Sequence, residues 1–480
     1  MVFLFSVVSF CSDGVDRYRK FGPNTLYLFA EPSPGCGYGV LPKDSEGGAD
    51  GTIEFRWVQE HMQALVRVCA YRTEKEFGPS KYPLTIFDGS AENGDTPVDW
   101  EPAPLGRHPG GSHDGGINLD LGYYLTSLEG KRFTPDYAAC TDHFVGGGDE
   151  SEDSPESDAY ICVGPADRLD TPRMSYFYIR MFSINRELFG SALLGQIGAD
   201  YFVREAVIKQ LENWVKEKKH GATQEILDDF KRVVTCDEYE GWAGSHHHHT
   251  HIRLNDIDLY GSLRPAIEKL LEMERDVDLA LAEGKPFLRA RLLSSGLERA
   301  VEAEILGDPH GAAIVFQAGV YLQVGRGNEV PPQRGDQRNR AVMEVKSGPV
   351  MERQKLDIAA KLVPENGSNI ALKSDLTLPV QDPRLYISID PLRINAEAVL
   401  EKNEFVCKLS YPPVYKSLVT DAFFEVAWKG YSSKFYLKDG SARIPADLIT
   451  PFIINACVTT CGRKTFRIPV YVEPAQMKAE

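Results

Sequence analysis

The chain is short of positive charge. Across 480 residues, 53 Lys and Arg stand against 69 Asp and Glu, a formal net charge of −16. That balance disfavours nucleic acid and anionic membrane surfaces as partners, since both need a positive field to repay phosphate contacts. Long apolar runs are missing too, so no transmembrane segment is expected. The opening stretch MVFLFSVVSF is apolar but lacks a basic start and a small-residue cleavage pattern; an ordinary strand and a trimmed signal remnant are both open readings. Cysteines are few and scattered. The nine (Cys11, Cys36, Cys69, Cys140, Cys162, Cys236, Cys407, Cys457 and Cys461) are an odd number and cannot all pair internally. Cys457 and Cys461 are the only close couple, and C-x3-C alone is a poor zinc signal. Disulfides made in an oxidising compartment stay open.

What is present describes a globular protein rich in loops and strands: 42% hydrophobic residues, 25% charged residues and 30 prolines. A prior of about 150 residues per domain gives two to four domains. In FRWVQEHMQALVRVC, Val58, Met62, Leu65 and Cys69 recur at helical spacing, and YPLTIFDGS reads as a strand ending in a turn. Ile117, Leu119 and Leu121 alternate as in a half-buried strand. The acidic stretch GGGDESEDSPESD, 146–158, is expected to be a mobile surface loop. Helical patterns return in RMSYFYIRMF, in YFVREAVIKQLENWVKE and in RPAIEKLLEMERDVDLALAEG, the last stopping at Gly284. Beyond it come short strands with turns, among them RARLLS, RAVEAEIL, LYISID and TFRIPVYVE, which predict two β-sandwich modules.

Two stretches carry chemistry. GWAGSHHHHTHIRLN, 241–255, holds five of the eleven histidines. An expression tag can look like this, but the run lies mid-chain, is broken by Thr250 and continues into a strand pattern. GSHDGGINLD, 111–120, contains the tight-turn dipeptide Asp114-Gly115, which lets the chain fold back after His113 and bring its imidazole toward the Asp120 carboxylate. One His and one Asp are two of the three protein ligands of a catalytic zinc. His249 and His251 stand two apart, so on a strand they face the same way, one as a ligand and the other as a base beside it. Alone, either motif is weak: the first is ordinary turn chemistry, the second a solvated metal patch. Ser112 and Asp114 are read as serving the turn.

Taken in order, Ser112, His113, Gly116 and Asp120, then His249, His251 and Arg253, the pattern S-H-x-x-G-x-x-x-D followed by H-x-H resembles the penicillin-insensitive murein endopeptidases. These belong with lysostaphin, D-Ala-D-Ala carboxypeptidases and the hedgehog signalling domain. The resemblance covers about residues 50–255. It implies His113, Asp120 and His251 as ligands of Zn2+ and His249 as general base, with His246 a further histidine close to the site. His247 and His248 stand where that family often has two aspartates, and are assigned tuning or surface roles. The implied substrate is a peptidoglycan cross-link peptide, and the implied location is extracytoplasmic, periplasmic or secreted. A D,D-carboxypeptidase or dipeptidase of the same superfamily and a non-catalytic metal-binding cell-surface interaction protein are the alternatives. The expected architecture is an α+β zinc metallopeptidase domain, 18–260, a helical connector, 261–284, and two all-β, immunoglobulin-like sandwich modules, 285–382 and 383–476. A chain cut near 285 is expected to keep hydrolysis of small soluble muropeptides.

Overall fold

The computed structural model describes residues 6–8, 25–41, 54–97, 112–128, 137–145, 160–236, 246–256, 262–294 and 299–307, and the later strands named below with their immediate neighbours. The acidic stretch, the approach to the histidines at 241–245 and LYISID lie outside the described residues. The chain is mixed α and β with several sheets, and it divides into two compact units. One comprises Met1–Pro97 and Gly110–Gln381, and the other contains Asp382–Glu480.

The centre of the first unit is a six-stranded sheet in the order Val234–Thr235, Leu194–Gly198, His249–Leu254, Asn118–Gly122, Leu84–Ile86, Tyr38–Val40. Its middle pairs are antiparallel and its outer pairs parallel. Alternation along the two middle strands separates their faces. Leu119, Leu121, Ile252 and Leu254 belong to a large apolar core together with residues of the helices Glu60–Phe77, Thr171–Phe189, Tyr201–Glu217, Gln224–Val233 and Arg264–Leu281. Between those leucines and isoleucine, Asp120, His249 and His251 fall on the opposite face. The helices are fixed at their ends. Asp170 accepts from Arg173 N and Asp200 from Phe202 N, while the Arg173 guanidinium donates to Phe77 O and Gly78 O at the end of the first helix. Among the described residues no helix is long and apolar enough to cross a membrane.

The boundary expected at 285 does not separate compact units. The hairpin Phe287–Ser294 and Arg299–Leu306 forms the middle pair of a six-stranded sheet that also takes in Leu26–Leu28, Trp57–Val58, Arg340–Val345 and Ser6–Val8. One face of the hairpin carries Leu288, Leu292, Val301 and Ile305, which share a core with Leu26 and Trp57 and with Leu356, Ile358 and Leu378 from a neighbouring three-stranded sheet. The other face carries charge: Arg289 sits opposite Glu304 and Arg291 opposite Glu302. These charges are buried against helices of the first unit. Arg289 bonds Asp278 at 2.7 Å, Arg291 bonds Glu60 at 2.6 Å, Arg275 bonds Glu304 at 3.1 Å, and Arg67 bonds Glu274 at 2.6 Å. Burial alone would raise the Glu274 carboxyl, but Arg67, Arg289 and Arg291 hold it down to about 2. Within 261–284, expected as a connector, Arg264–Leu281 is the helix that anchors this network.

In the second unit two antiparallel sheets share one core. The strands Asn395–Glu401, Glu404–Ser410 and Ser441–Pro445 contribute Phe405, Cys407 and Ile444 to it. Val419–Trp428, Tyr431–Tyr436, Ile453–Thr460 and Thr465–Tyr471 contribute Phe424, Val426, Ile454, Val458 and Val470.

Candidate metal centre

His113 and Asp120 come from the turn and strand that the DGG sequence creates. Asp114–Gly116 is a single 3-10 turn in which Gly115 and Gly116 take φ of 74° and 66°. The Asp114 carboxylate accepts from Thr96 N at 3.0 Å and from Thr96 Oγ1 at 2.8 Å, and His113 N donates to Thr96 Oγ1 at 3.2 Å. The turn is thus pinned on both sides of the His113 side chain, and Asp114 serves it. Gly116 is pressed against residues 57–59: Gln59 N donates to Gly116 O at 2.8 Å, and a Cβ on Gly116 would lie 2.4 Å from Leu26 Cδ2 and 3.1 Å from Val58 Cα. Gly115 has nothing within 4 Å of the same position. Gly116→Ala should therefore combine backbone strain of about 1–2 kcal/mol with overpacking of about 1–3 kcal/mol. Gly115→Ala should show the strain alone. Urea unfolding of the two variants checks this; equal losses would mean that the close approach does not select glycine.

The remaining side chains come from the neighbouring strand, and register brings them in. His251 is paired directly with Asp120 and His249 with Gly122. Directly opposite residues point to the same face, so His251 Nδ1 lies 2.7 Å from Asp120 Oδ1. His113 Nε2 lies 3.3 Å from Asp120 Oδ2, and the His113 and His251 rings meet edge to face at 4.7 Å. Donor atoms of His113, Asp120 and His251 all fall within 4.8 Å of one another, and all three residues are buried. Tetrahedral zinc with bonds of about 2.0–2.2 Å sets its donors roughly 3.3–3.6 Å apart, so modest spreading of the His251–Asp120 contact fits an ion to this set. His249 Nε2 is 3.6 Å from Asp120 Oδ1. The His246 ring is 4.8 Å from that of His249 and 6.3 Å from that of His251. The structure thus gathers all five candidate residues.

The donor chemistry fits a cation. Asn118 Nδ2 donates to Asp114 O at 3.2 Å, which turns Asn118 Oδ1 toward His251 Nε2, also at 3.2 Å. With a metal at Nδ1, His251 would carry its proton on Nε2, where Asn118 Oδ1 stands ready to accept it. Burial would raise the Asp120 carboxyl, yet His113, His249 and His251 hold it well below the usual carboxylate range. At 2.7 Å the contact between His251 Nδ1 and the Asp120 carboxylate needs a proton or a metal cation between them. The soft imidazoles and single carboxylate match zinc better than calcium or magnesium, which take mostly oxygen donors.

His247 and His248 are buried, not surface residues. Burial first, then His249 and His247, push the His248 imidazole well below its ordinary value. His248 Nε2 lies 3.1 Å from His249 Nδ1, and His248 Nδ1 lies 3.0 Å from His247 Nδ1. The run is held from outside by Tyr123 Oη, which donates to His246 O at 2.8 Å, and by Ala139 N, which donates to His247 O at 2.8 Å. Phe87 flanks it, 5.6 Å from the His248 ring and 6.0 Å from the His249 ring. Behind the strand, Thr250 accepts from Tyr178 Oη at 3.0 Å and donates to Gly198 O at 2.8 Å. Sequence reasoning missed Asn118 and Phe87, whose signal is position alone: one shares a strand face with Asp120 and the other precedes a sharp turn. It also missed the Cys140–Cys162 disulfide next to the site. No protein-family model matches the chain, and no curated protein matches it in sequence.

Proposed function

We propose that the chain is a zinc-dependent peptidase that hydrolyses amide bonds in peptidoglycan peptide cross-links. The observation that carries this reading is the gathering of His113, Asp120 and His251 donors within 4.8 Å, with His249 Nε2 held 3.6 Å from the same carboxylate. His113, Asp120 and His251 would hold the metal, which when bound supplies Lewis acidity toward a scissile carbonyl and acidifies water. His249 Nε2 takes the proton from the attacking water and returns it to the leaving amine, the task of a general base within reach of both. His246, next to His249, orients the polar atoms that gather there. Neither a serine nor a cysteine nucleophile is required. The choice of a cell-wall cross-link over another amide rests on the motif resemblance. The Cys140–Cys162 disulfide supports an extracytoplasmic location, where such bonds persist.

A second reading, a metal-holding scaffold without catalysis, is favoured by the burial of all three donors, because closed sites are the structural ones. Digestion of purified murein decides between them. The expected result is cleavage of cross-linked muropeptide dimers to monomers, abolished by chelator and restored by zinc. Trimming of linear peptides alone would replace the cross-link assignment with a carboxypeptidase one. A folded, zinc-loaded protein that leaves both untouched, and melts at lower temperature after chelation, would establish the scaffold.

A further inference from the structure

We propose that His248 is a positioning residue for His249: its Nε2 accepts the His249 Nδ1 proton and thereby turns the His249 Nε2 lone pair toward the centre formed by His113, Asp120 and His251. The inference rests on the hydrolytic reading of that centre and assigns a task within it to a histidine the motif does not include.

Three imidazoles stand in hydrogen-bond contact, with 3.1 Å between His249 Nδ1 and His248 Nε2 and 3.0 Å between His248 Nδ1 and His247 Nδ1. A neutral imidazole has one donor and one acceptor, so such a chain can run in only two directions. Run outward, each ring donates to the next: His249 Nδ1–H to His248, then His248 Nδ1–H to His247. The inner end is then a bare Nε2 on His249, which is what a base needs. Run inward, that Nε2 carries the hydrogen and cannot accept a proton. A cation held by His113, Asp120 and His251 would make the field at His249 Nε2, 3.6 Å from Asp120 Oδ1, positive and so favour the outward direction.

The surroundings hold the chain in place. His247, His248 and His249 are 0%, 8% and 7% exposed, so water competes little for their ring nitrogens. Phe87 lies against His248 with its plane tilted by 31°, and the His247 ring lies 5.5 Å from that of His143. A solvated histidine patch would have neither the burial nor the continuous contacts. The logic is that of a carboxylate behind a catalytic histidine, with a neutral acceptor in its stead.

The test uses the full chain, zinc-loaded and labelled with 15N-histidine, and reads the tautomer of His249 from long-range 1H–15N correlations, assigned against a His249→Ala spectrum. The expected wild-type state is Nδ1–H. His248→Phe keeps the ring stack on Phe87 but removes the acceptor. It should move His249 to Nε2–H, retain one zinc per chain, and lower kcat by about 10- to 100-fold with KM little changed. His248→Gln returns an acceptor and should restore both the tautomer and most of kcat. A wild-type His249 carrying its proton on Nε2 overturns the proposal without any variant, and so does a His248→Phe protein that keeps Nδ1–H. Nδ1–H at His249 in a protein that hydrolyses no peptide would instead sink the peptidase reading and leave the His248–His249 link standing.

Discussion

A chain ending at Gly284 should show no cooperative thermal transition by far-UV circular dichroism, whereas one ending at Gln381 should melt as a unit and keep its zinc. The shorter chain loses Arg289 and Arg291, the partners of Asp278 and Glu60, and loses Glu304, the partner of Arg275. Glu274 keeps only Arg67 of the three arginines that hold its charge. Breaking a buried ion pair by removing one partner costs about 3–5 kcal/mol; Asp278 keeps Arg67, but the losses at Glu60 and Arg275 together are on the scale of a total stability of about 5–15 kcal/mol. Leu26 and Trp57 also lose the strands that bury them. The effect reaches the candidate metal centre through chain geometry, because Gln59, directly after Trp57–Val58, bonds Gly115 O and Gly116 O in the turn that places His113. This outcome runs against the expectation that a chain cut near 285 keeps hydrolysis of small soluble muropeptides. A cooperative melt of the shorter chain close to that of the full protein would show that the charged layer is dispensable and the sheet an appended module.

That contrast shows what the sequence could and could not reveal. In LRARLLS and AVEAEIL, arginines and glutamates alternate with apolar residues, and period-two alternation ordinarily assigns the charged face to water. Here both faces are covered, and all eight residues of Arg299–Leu306 are buried. The partners of the charges lie on helices far away in the chain, Glu60 being 231 residues from Arg291, and no local pattern carries that pairing. The strand nature of 118–122 and 249–254 was legible because alternation is local. Their register was not: Asp120 and His251 are 131 residues apart, and a one-residue slip would turn every site side chain into the core. The helix Gln224–Val233 could have been found, since Thr223 caps it by accepting from Ile226 N and Ile226, Leu227 and Phe230 mark one face. The Cys140–Cys162 pair, 22 residues apart across the acidic stretch, had no spacing signal.

Alanine at His251, Asp120 or His113 should abolish stoichiometric zinc binding, while alanine at His249 should leave zinc in place and remove turnover. The first three would supply the donor atoms of the proposed centre, and a three-ligand centre cannot spare one. Their loss should weaken zinc by well over the 10- to 100-fold typical of residues that only support a ligand. Asp120 has an added role, since its carboxylate lies against His113, His249 and His251 and supplies the anionic donor of the set. His249 touches that carboxylate only at 3.6 Å and lies outside the donor set. Its removal should lower hydrolysis by roughly 100- to 10,000-fold, the scale of a general base, with metal content unchanged. His246→Ala should fall between, because its ring packs on His249 at 4.8 Å and reaches His251 only at 6.3 Å. Zinc per chain by atomic emission and cleavage rate on cross-linked muropeptides, taken on the same preparations, separate the roles. Similar small effects at His246, His249 and His251 would mean that the run takes up metal as a patch, and both the ligand and the base assignments would have to be abandoned.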